Sequence, residues 1–259
     1  MRELTGGFNN LVYEHQGRVI KEYLEGDRSG VTPTIRRHQE RRALKAFGGS
    51  IAPAFLGMMG DEIYIQYVEG ETADHMLQET CDKPRIFYDM GRYLDNLHKP
   101  THKSPVIIQD KVEKRIKQAH EAEELLHAVG QPYFEPTYNL GELARYGVVY
   151  VHGDASPSNF MVTDKMIMLD WEHSTWDTPY VDLTMMELFG FRNPRYGILE
   201  GTRQAFYEGY GRELDENEIR EQTRLRAYGY IASTKDRFVK NYEKGAFFEN
   251  HLVKTLREL

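Results

Sequence analysis

Apolar and polar positions along the chain follow a two-residue rhythm near the N-terminus and a helical rhythm after it, with the change near residue 69. Leu11-Val12-Tyr13-Glu14-His15 and Arg18-Val19-Ile20-Lys21-Glu22-Tyr23 are β-type runs on either side of Gln16-Gly17, which predicts a tight hairpin. Only four residues precede Thr5, so any strand before the Gly-rich turn Thr5-Gly6-Gly7-Phe8-Asn9-Asn10 has to be short. Thr34 to Phe47 reads as a helix, with Glu40, Leu44 and Phe47 at helical spacing and Gly48-Gly49 as its stop. A second strand pair is divided at Gly60-Asp61, and its later member, Glu62 to Val68, runs into Glu69-Gly70-Glu71. This joint divides the chain into 1–68 and 69–259.

Beyond the joint the pattern is mainly helical. Pro84 to His98 is an amphipathic helix with proline at its start, where a missing N–H costs nothing. Gln109 to Val129 is a longer, charged helix with an apolar stripe at Val112, Ile116, Ala119 and Leu126. Gly147-Val148-Val149-Tyr150-Val151 is then a short β-branched run, and helices return from about Asp182. The aromatic residues scattered through 189–248 are read as core.

Composition narrows the classes. The 259 residues include 40% hydrophobic and 12% aromatic residues, enough to bury a real core. A formal charge of −7 argues against a surface built for nucleic acid or anionic membrane, and fits a cationic or neutral partner. The lone Cys81 has no partner for an internal disulfide, the chain opens without a leader pattern, and no apolar run is long enough to span a bilayer. These features predict a cytoplasmic protein.

The densest chemistry is His152-Gly153-Asp154-Ala155-Ser156-Pro157-Ser158-Asn159, followed by Met168-Leu169-Asp170-Trp171-Glu172. Phe160-Met161-Val162 and Ile167-Met168-Leu169 are β-prone and joined through Thr163-Asp164-Lys165-Met166. A turn centred between Asp164 and Lys165 would set Asn159 opposite Asp170, with Cβ atoms about 4.5–5.5 Å apart. An amide oxygen and a carboxylate so placed suit one magnesium ion shared with substrate phosphates. Asp154 then lies beside the metal, where it would orient an acceptor hydroxyl and take its proton. Phosphoryl transfer asks mostly for such positioning and charge neutralisation. His152 is read as a loop brace, because the motif already supplies a carboxylate.

This constellation resembles the aminoglycoside phosphotransferase and choline kinase family, whose members carry a His-Gly-Asp loop with Asn five residues after Asp. Asp170-Trp171-Glu172 is similar to that family's second metal motif, an Asp followed by an aromatic residue and an acid. The resemblance implies an α+β, two-lobed protein-kinase-like fold, with a small antiparallel-sheet N-lobe and a larger, mainly helical C-lobe. It implies an ATP-dependent kinase that phosphorylates a hydroxyl of an amino sugar, an amino alcohol such as choline or ethanolamine, or a thiamine-like compound. In that frame Arg18-Val19-Ile20-Lys21 is similar to the strand carrying the phosphate-binding lysine. Glu40, one turn before Leu44 on the packing face, is its expected partner. Gly6 and Gly7 would admit phosphates to backbone amides, with Asn9 or Asn10 as added donors. Backbone groups near Gln66 and Val68 would meet the adenine edge.

Asp182 has two readings, a helix N-cap or a brace for the catalytic loop. Acceptor contacts are sought among Glu172, His173, Trp176, Asp177 and Glu187, where acids and aromatic faces suit a cationic group. Two other classes are kept. Arg36, Arg37, His38, Arg41, Arg42 and Lys45 form a basic stretch that an RNA-directed kinase would use. A catalytically silent nucleotide-binding module is the other, although Lys21, Asp154, Asn159 and Asp170 are all retained.

Overall fold

The computed structural model describes residues 1–4, 10–25, 31–100, 106–197 and 199–259, and of residues 106, 107, 140, 142 and 144 the backbone alone. Gly6, Gly7 and Asn9 lie outside the described residues. The predicted hairpin is present as β2 (Asn10–His15) and β3 (Arg18–Tyr23), in a register that sets Val12 opposite Lys21. Gln16 and Gly17 both have positive φ, 52° and 74°. That is the backbone of the two-residue turn whose twist matches right-handed strands. A two-residue β1 (Arg2–Glu3) pairs with β2, and β4 (Phe55–Met59) and β5 (Glu62–Gln66) complete a five-stranded antiparallel sheet in the order β1-β2-β3-β5-β4.

Strand alternation puts Val19, Lys21 and Tyr23 on one face of β3, the face that α1 (Pro33–Phe47) covers. Thr32 caps α1 by accepting the Ile35 N–H, and Pro33 occupies its first position. The inner side of the helix carries Ala43 and Leu44 into the core, and with them the charged Arg36 and Glu40. Two of the helix's polar residues are thus fully desolvated, which requires partners.

After the short strand β6 (Glu71–Thr72), α2 (Ala73–Glu79), α3 (Lys83–Leu97), α4 (Val106–Ala128) and α5 (Leu140–Arg145) lead to β7 (Val149–Val151). The hairpin of β8 (Phe160–Val162) and β9 (Met166–Met168) joins β6, while β10 (Thr175–Asp177) pairs with β7. Helices α6 (Tyr180–Met185), α7 (Thr202–Tyr210), α8 (Glu216–Ser233), α9 (Phe238–Glu243) and α10 (Phe247–Glu258) follow. Gly91 allows α3 to lie directly on α7, since a Cβ there would sit 2.1 Å from the Phe206 carbonyl oxygen. Val112, Ala119 and Leu126 of the predicted α4 stripe are buried, as are Phe206, Tyr210, Tyr228 and Phe238 among the later aromatics.

One core cluster runs from Tyr23, Leu44 and Ile63 of the sheet region to Phe87, Met90, Phe160 and Trp171 of the helical region. Phe47 at the end of α1 stacks on the fully buried Trp171 with ring centroids 5.4 Å apart. Apolar burial at this joint fixes where the residues after β9 stand relative to α1. A second cluster, with Ala119, Leu126, Leu225, Tyr228 and Leu252, binds α4, α8 and α10 together.

Candidate active site

The loop leaving β7 is gripped through its backbone. The His152 and Gly153 N–H groups donate to the two carboxylate oxygens of Asp182, at 2.8 and 2.7 Å. Asp182 is fully buried in the first turn of α6, past the start of the helix, so it is the loop brace and not the N-cap. It also accepts from His98 Nε2 at 3.0 Å, and His98 Nδ1 meets the Tyr210 hydroxyl at 3.0 Å. Burial alone would push the Asp182 carboxyl up; the hydrogen bond and charge of His98, with His152 added, outweigh it and hold the carboxyl below the usual value. His152 Nε2 faces the Leu169 carbonyl at 2.8 Å and must carry the proton there. Its Nδ1 then accepts the Asp154 N–H at 3.3 Å, so His152 is the brace the sequence suggested.

Gly153 has a φ of +86°, and a Cβ at this position would lie 2.4 Å from the His173 carbonyl oxygen. Only glycine fits both demands. Its own carbonyl accepts Arg226 Nη2 from α8 at 2.6 Å. Asn159 closes a 3-10 turn at Pro157–Asn159 and spends its side-chain N–H groups on Asp154, at 2.7 Å to the carbonyl and 2.9 Å to the carboxylate. The amide oxygen of Asn159 therefore points away from these bonds as an acceptor.

The hairpin register corrects one expectation. Phe160 faces Met168 and Val162 faces Met166, so the loop is the three residues Thr163 to Lys165, centred on Asp164. Asn159 consequently faces Leu169, whose N–H donates to its carbonyl at 2.8 Å, and Asp170 falls one residue beyond the facing position. A one-residue slip would turn the side chain to the other face of a regular strand. Here the strand has ended, and Asp170 takes a left-handed conformation with φ and ψ both 61°.

That conformation sends the Asp170 carboxylate to the Lys21 ammonium, which it contacts directly. Lys21 is also 2.7 Å from Glu40, the partner chosen from the sequence, and 3.3 Å from Glu172. Tyr23 donates to Glu40, Asn10 Nδ2 donates to Glu172 at 2.7 Å, and Arg36 Nη1 reaches Asn10 Oδ1 at 3.0 Å and Glu172 at 3.3 Å. Two cations, Lys21 and Arg36, thus meet three carboxylates. Burial works against the Lys21 ammonium, but Asp170 and Glu40 prevail and hold its pKa well above the ordinary value. Burial lifts Asp170 as well, and is overcome by the Lys21 charge, so its carboxyl stays below the usual range. Glu40 moves up, chiefly by burial, with Asp170 and Glu172 adding to it against Lys21.

At the end of β5 the Gln66 N–H is given to the Ala54 carbonyl at 2.9 Å, and the Tyr67 N–H to the Gly17 carbonyl at 3.1 Å. The Val68 N–H has no hydrogen-bond partner among the described residues.

The sequence model of the phosphotransferase enzyme family matches residues 1–226. The chain belongs to this family. It is an ATP-dependent phosphotransferase, a kinase with a hydroxyl acceptor, on the two-lobed kinase-like fold. Solved structures similar to this phosphotransferase include the streptomycin-ATP-APH(2")-IIa ternary complex, at 16% identity and a TM-score of 0.59 over 100% of this chain and 90% of that one. A choline/ethanolamine kinase family protein from Mesorhizobium loti shares 17% identity with a TM-score of 0.58, over 98% of this chain and 84% of that one. Choline kinase LicA from Streptococcus pneumoniae shares 16% identity with a TM-score of 0.57, over 100% and 92%. No curated protein matches the sequence.

Several residues sought as acceptor contacts in this phosphotransferase are otherwise engaged. Glu172 is buried against Asn10, Arg36 and Lys21; Asp177 is buried against Lys111 and Arg115; Glu187 is buried against Arg192, Arg203 and Tyr207. Trp176 packs edge-on to Tyr150, with centroids 4.9 Å apart. Of the five, His173 keeps a quarter of its side chain exposed. Asn10 serves Glu172 and Arg36 and is not the phosphate-loop donor expected of it. In the basic stretch Arg36 is internal, Arg37 pairs with Asp61, and the Arg42 guanidinium lies 5.8 Å from the Tyr150 ring centroid, so the face is not a free cationic surface. Sequence reasoning missed His98 and Arg226, whose partners lie 84 and 73 residues away. A histidine or arginine on a helix gives no signal of such a contact.

Proposed function

We propose that this phosphotransferase moves the γ-phosphate of ATP to a hydroxyl of a small molecule, with Asp154 facing the hydroxyl and Asn159 and Asp170 holding magnesium. The observation that carries this reading is how Asn159 is used. Both of its N–H contacts go to Asp154, which orients that carboxylate and leaves the amide oxygen as a ligand of the kind a hard cation takes. Asp170 contacts Lys21 through one oxygen and keeps 38% of its side chain accessible, so its second oxygen fits the same ion. Three carboxylates around two cations also leave room for added positive charge. When bound, magnesium would neutralise phosphate oxygens as the phosphoryl group moves.

Within this reading Asp154 orients the acceptor hydroxyl and receives its proton. Lys21 contacts phosphate oxygens, and Glu40 holds Lys21 extended. Gly6 and Gly7, outside the described residues, are the glycines proposed to admit the phosphates to backbone amides. The Gln66 carbonyl and the Val68 N–H meet the adenine edge, an assignment supported by the engaged Gln66 N–H and the unengaged Val68 N–H. Residues 1–68 form the nucleotide lobe, and residues 69–259 supply catalysis and the acceptor site. The acceptor is cationic or neutral, in keeping with the net charge, and the internal pairing of Glu172, Asp177 and Glu187 favours the neutral end of that range. No helix among the described residues is long and apolar enough to cross a membrane, and the cytoplasm, where ATP is plentiful, is the proposed compartment.

A coupled ADP-release screen with magnesium and ATP tests the whole reading, offering aminoglycosides, choline, ethanolamine, thiamine, homoserine and small RNAs. Acceptor-dependent ADP release with a small hydroxyl compound is the expected outcome. ATP binding with no turnover on any acceptor would make the protein a silent module, and turnover on RNA alone would replace the small-molecule acceptor.

A further inference from the structure

The peptide that links Gly153 to Asp154 is held at both ends. Its N–H donates to His152 Nδ1 at 3.3 Å, and its carbonyl accepts Arg226 Nη2 at 2.6 Å. The first contact comes from within the same loop, two residues away. The second is brought in by α8, which packs along α4 and α6. Gly153, with its positive φ and no side chain, has a freedom of rotation that neighbouring residues lack. Asp182 fixes the peptides before Gly153, yet nothing in Asp182 fixes the orientation of the peptide after it. That peptide sets the direction in which the Asp154 side chain leaves the backbone, and Asn159 then holds the carbonyl and carboxylate of Asp154 from the other side.

Arg226 is itself held in place. Its guanidinium lies 5.1 Å from the Tyr230 ring centroid, its Nη2 is 3.4 Å from the Tyr230 hydroxyl, and that hydroxyl rests 3.2 Å from Met185 Sδ in α6. The Nε is buried with no hydrogen-bond partner, a desolvation cost that a purely surface arginine would not carry. Burial disfavours the Arg226 charge; Tyr230 and Asp154 more than restore it. A planar guanidinium held over an aromatic ring is a pre-organised donor, and lysine does not reproduce it fully.

We propose that Arg226 is a positioning residue for Asp154: by fixing the Gly153–Asp154 peptide from α8, it aims the carboxylate at the acceptor hydroxyl and sets a constant positive charge beside it. The inference rests on the proposed role of Asp154. It also makes α8, a helix whose sequence carries no motif, part of the machinery that orients the base.

The test uses Arg226→Met and Arg226→Lys in the full chain, with magnesium, ATP and water as the only acceptor, so that no acceptor need be known. Arg226→Met is expected to lower kcat for ADP release by about 10- to 100-fold, the scale of a misplaced reacting group. KM for ATP should stay within about twofold, because a group acting only on the transition state leaves nucleotide binding alone. Arg226→Lys should recover part of kcat, and in an Asp154→Asn background Arg226→Met should cost little more, since both act through one group. Wild-type kcat in a folded Arg226→Met protein overturns the proposal. So does a loss shared equally by kcat and KM with no rescue by lysine. If the unmodified protein releases no ADP with water but turns over a compound of the acceptor screen, the same kinetics are read on that compound; if it releases none with any acceptor, the proposed function fails first. Amide hydrogen exchange over residues 152–154 then decides alone: faster exchange in Arg226→Met at an unchanged Tm supports the positioning role, and unchanged exchange overturns it.

Discussion

Around Asp154 most bonds join a backbone group to a side chain, with Asp182, His152 and Arg226 each taking a main-chain atom, and Asn159 adds a side-chain bond to the Asp154 carboxylate. Around Lys21 they run mainly between side chains, with Arg36 Nη2 also donating to the Leu24 carbonyl, and the network of Lys21, Arg36, Glu40, Asp170 and Glu172 holds together by charge. The first region fixes a direction, because a hydrogen-bonded peptide turns only by breaking bonds. The second fixes a balance, because an ammonium between three carboxylates can shift toward any of them while the chain stays still. Chemistry that needs one carboxylate aimed at one hydroxyl suits the first arrangement; binding a mobile, highly charged nucleotide with its metal suits the second.

The contrast is sharpest at the base itself. Asp154→Asn should lower turnover by about 10²- to 10⁴-fold, the usual contribution of a positioned acid or base, while ATP affinity measured by calorimetry changes little. Comparable loss of affinity would mean that the loop also belongs to the nucleotide site. In the lysine cluster, Lys21→Met leaves buried carboxylates uncompensated and should cost about 3–5 kcal/mol of stability. Magnesium should then raise the Tm of this variant more than that of the unmodified protein, since a cation that binds only the folded state substitutes for the lost charge. Equal shifts in both proteins would argue that no ion enters the cluster.

A gentler change addresses the brace. Asp182→Asn removes a charged acceptor from three donors and should cost about 1.5–3 kcal/mol at neutral pH. Because the folded carboxyl is depressed, its stabilising effect is present above the unfolded value of about 4 and is lost as pH falls through the lower folded value. Urea unfolding at a series of pH values should therefore show the two stability curves converging in acid. Curves that stay parallel would remove the charge from the explanation. Last, Arg85→Ala breaks an exposed pair with Asp89 that belongs to neither region, and should shift stability by less than about 0.5 kcal/mol.

Much of this was legible in the sequence where short-range rules apply. The Gln16-Gly17 hairpin and the loop from His152 to Asn159 follow from local spacing, while the Lys21–Glu40 pair was legible through the family resemblance, with helical spacing picking Glu40. The β8–β9 register did not follow, because two- and three-residue loops through Thr163-Asp164-Lys165 leave the same letters and differ by one position in pairing. The acceptor acids were misread for another reason. Glu172 meets Arg36 across 136 residues, and nothing near either one announces that its charge is already answered. His98, Arg36 and Arg226 share this problem, since a polar residue on a helix looks solvated until the element it faces is known.

Glu172 has one more effect. It extends from the helical region just after Asp170 and meets Asn10, Arg36 and Lys21 of the sheet region, so this one carboxylate gathers three groups of the other half, beside the Asp170–Lys21 contact. A swing that parted the halves at that edge would have to strip three donors from one buried anion at once.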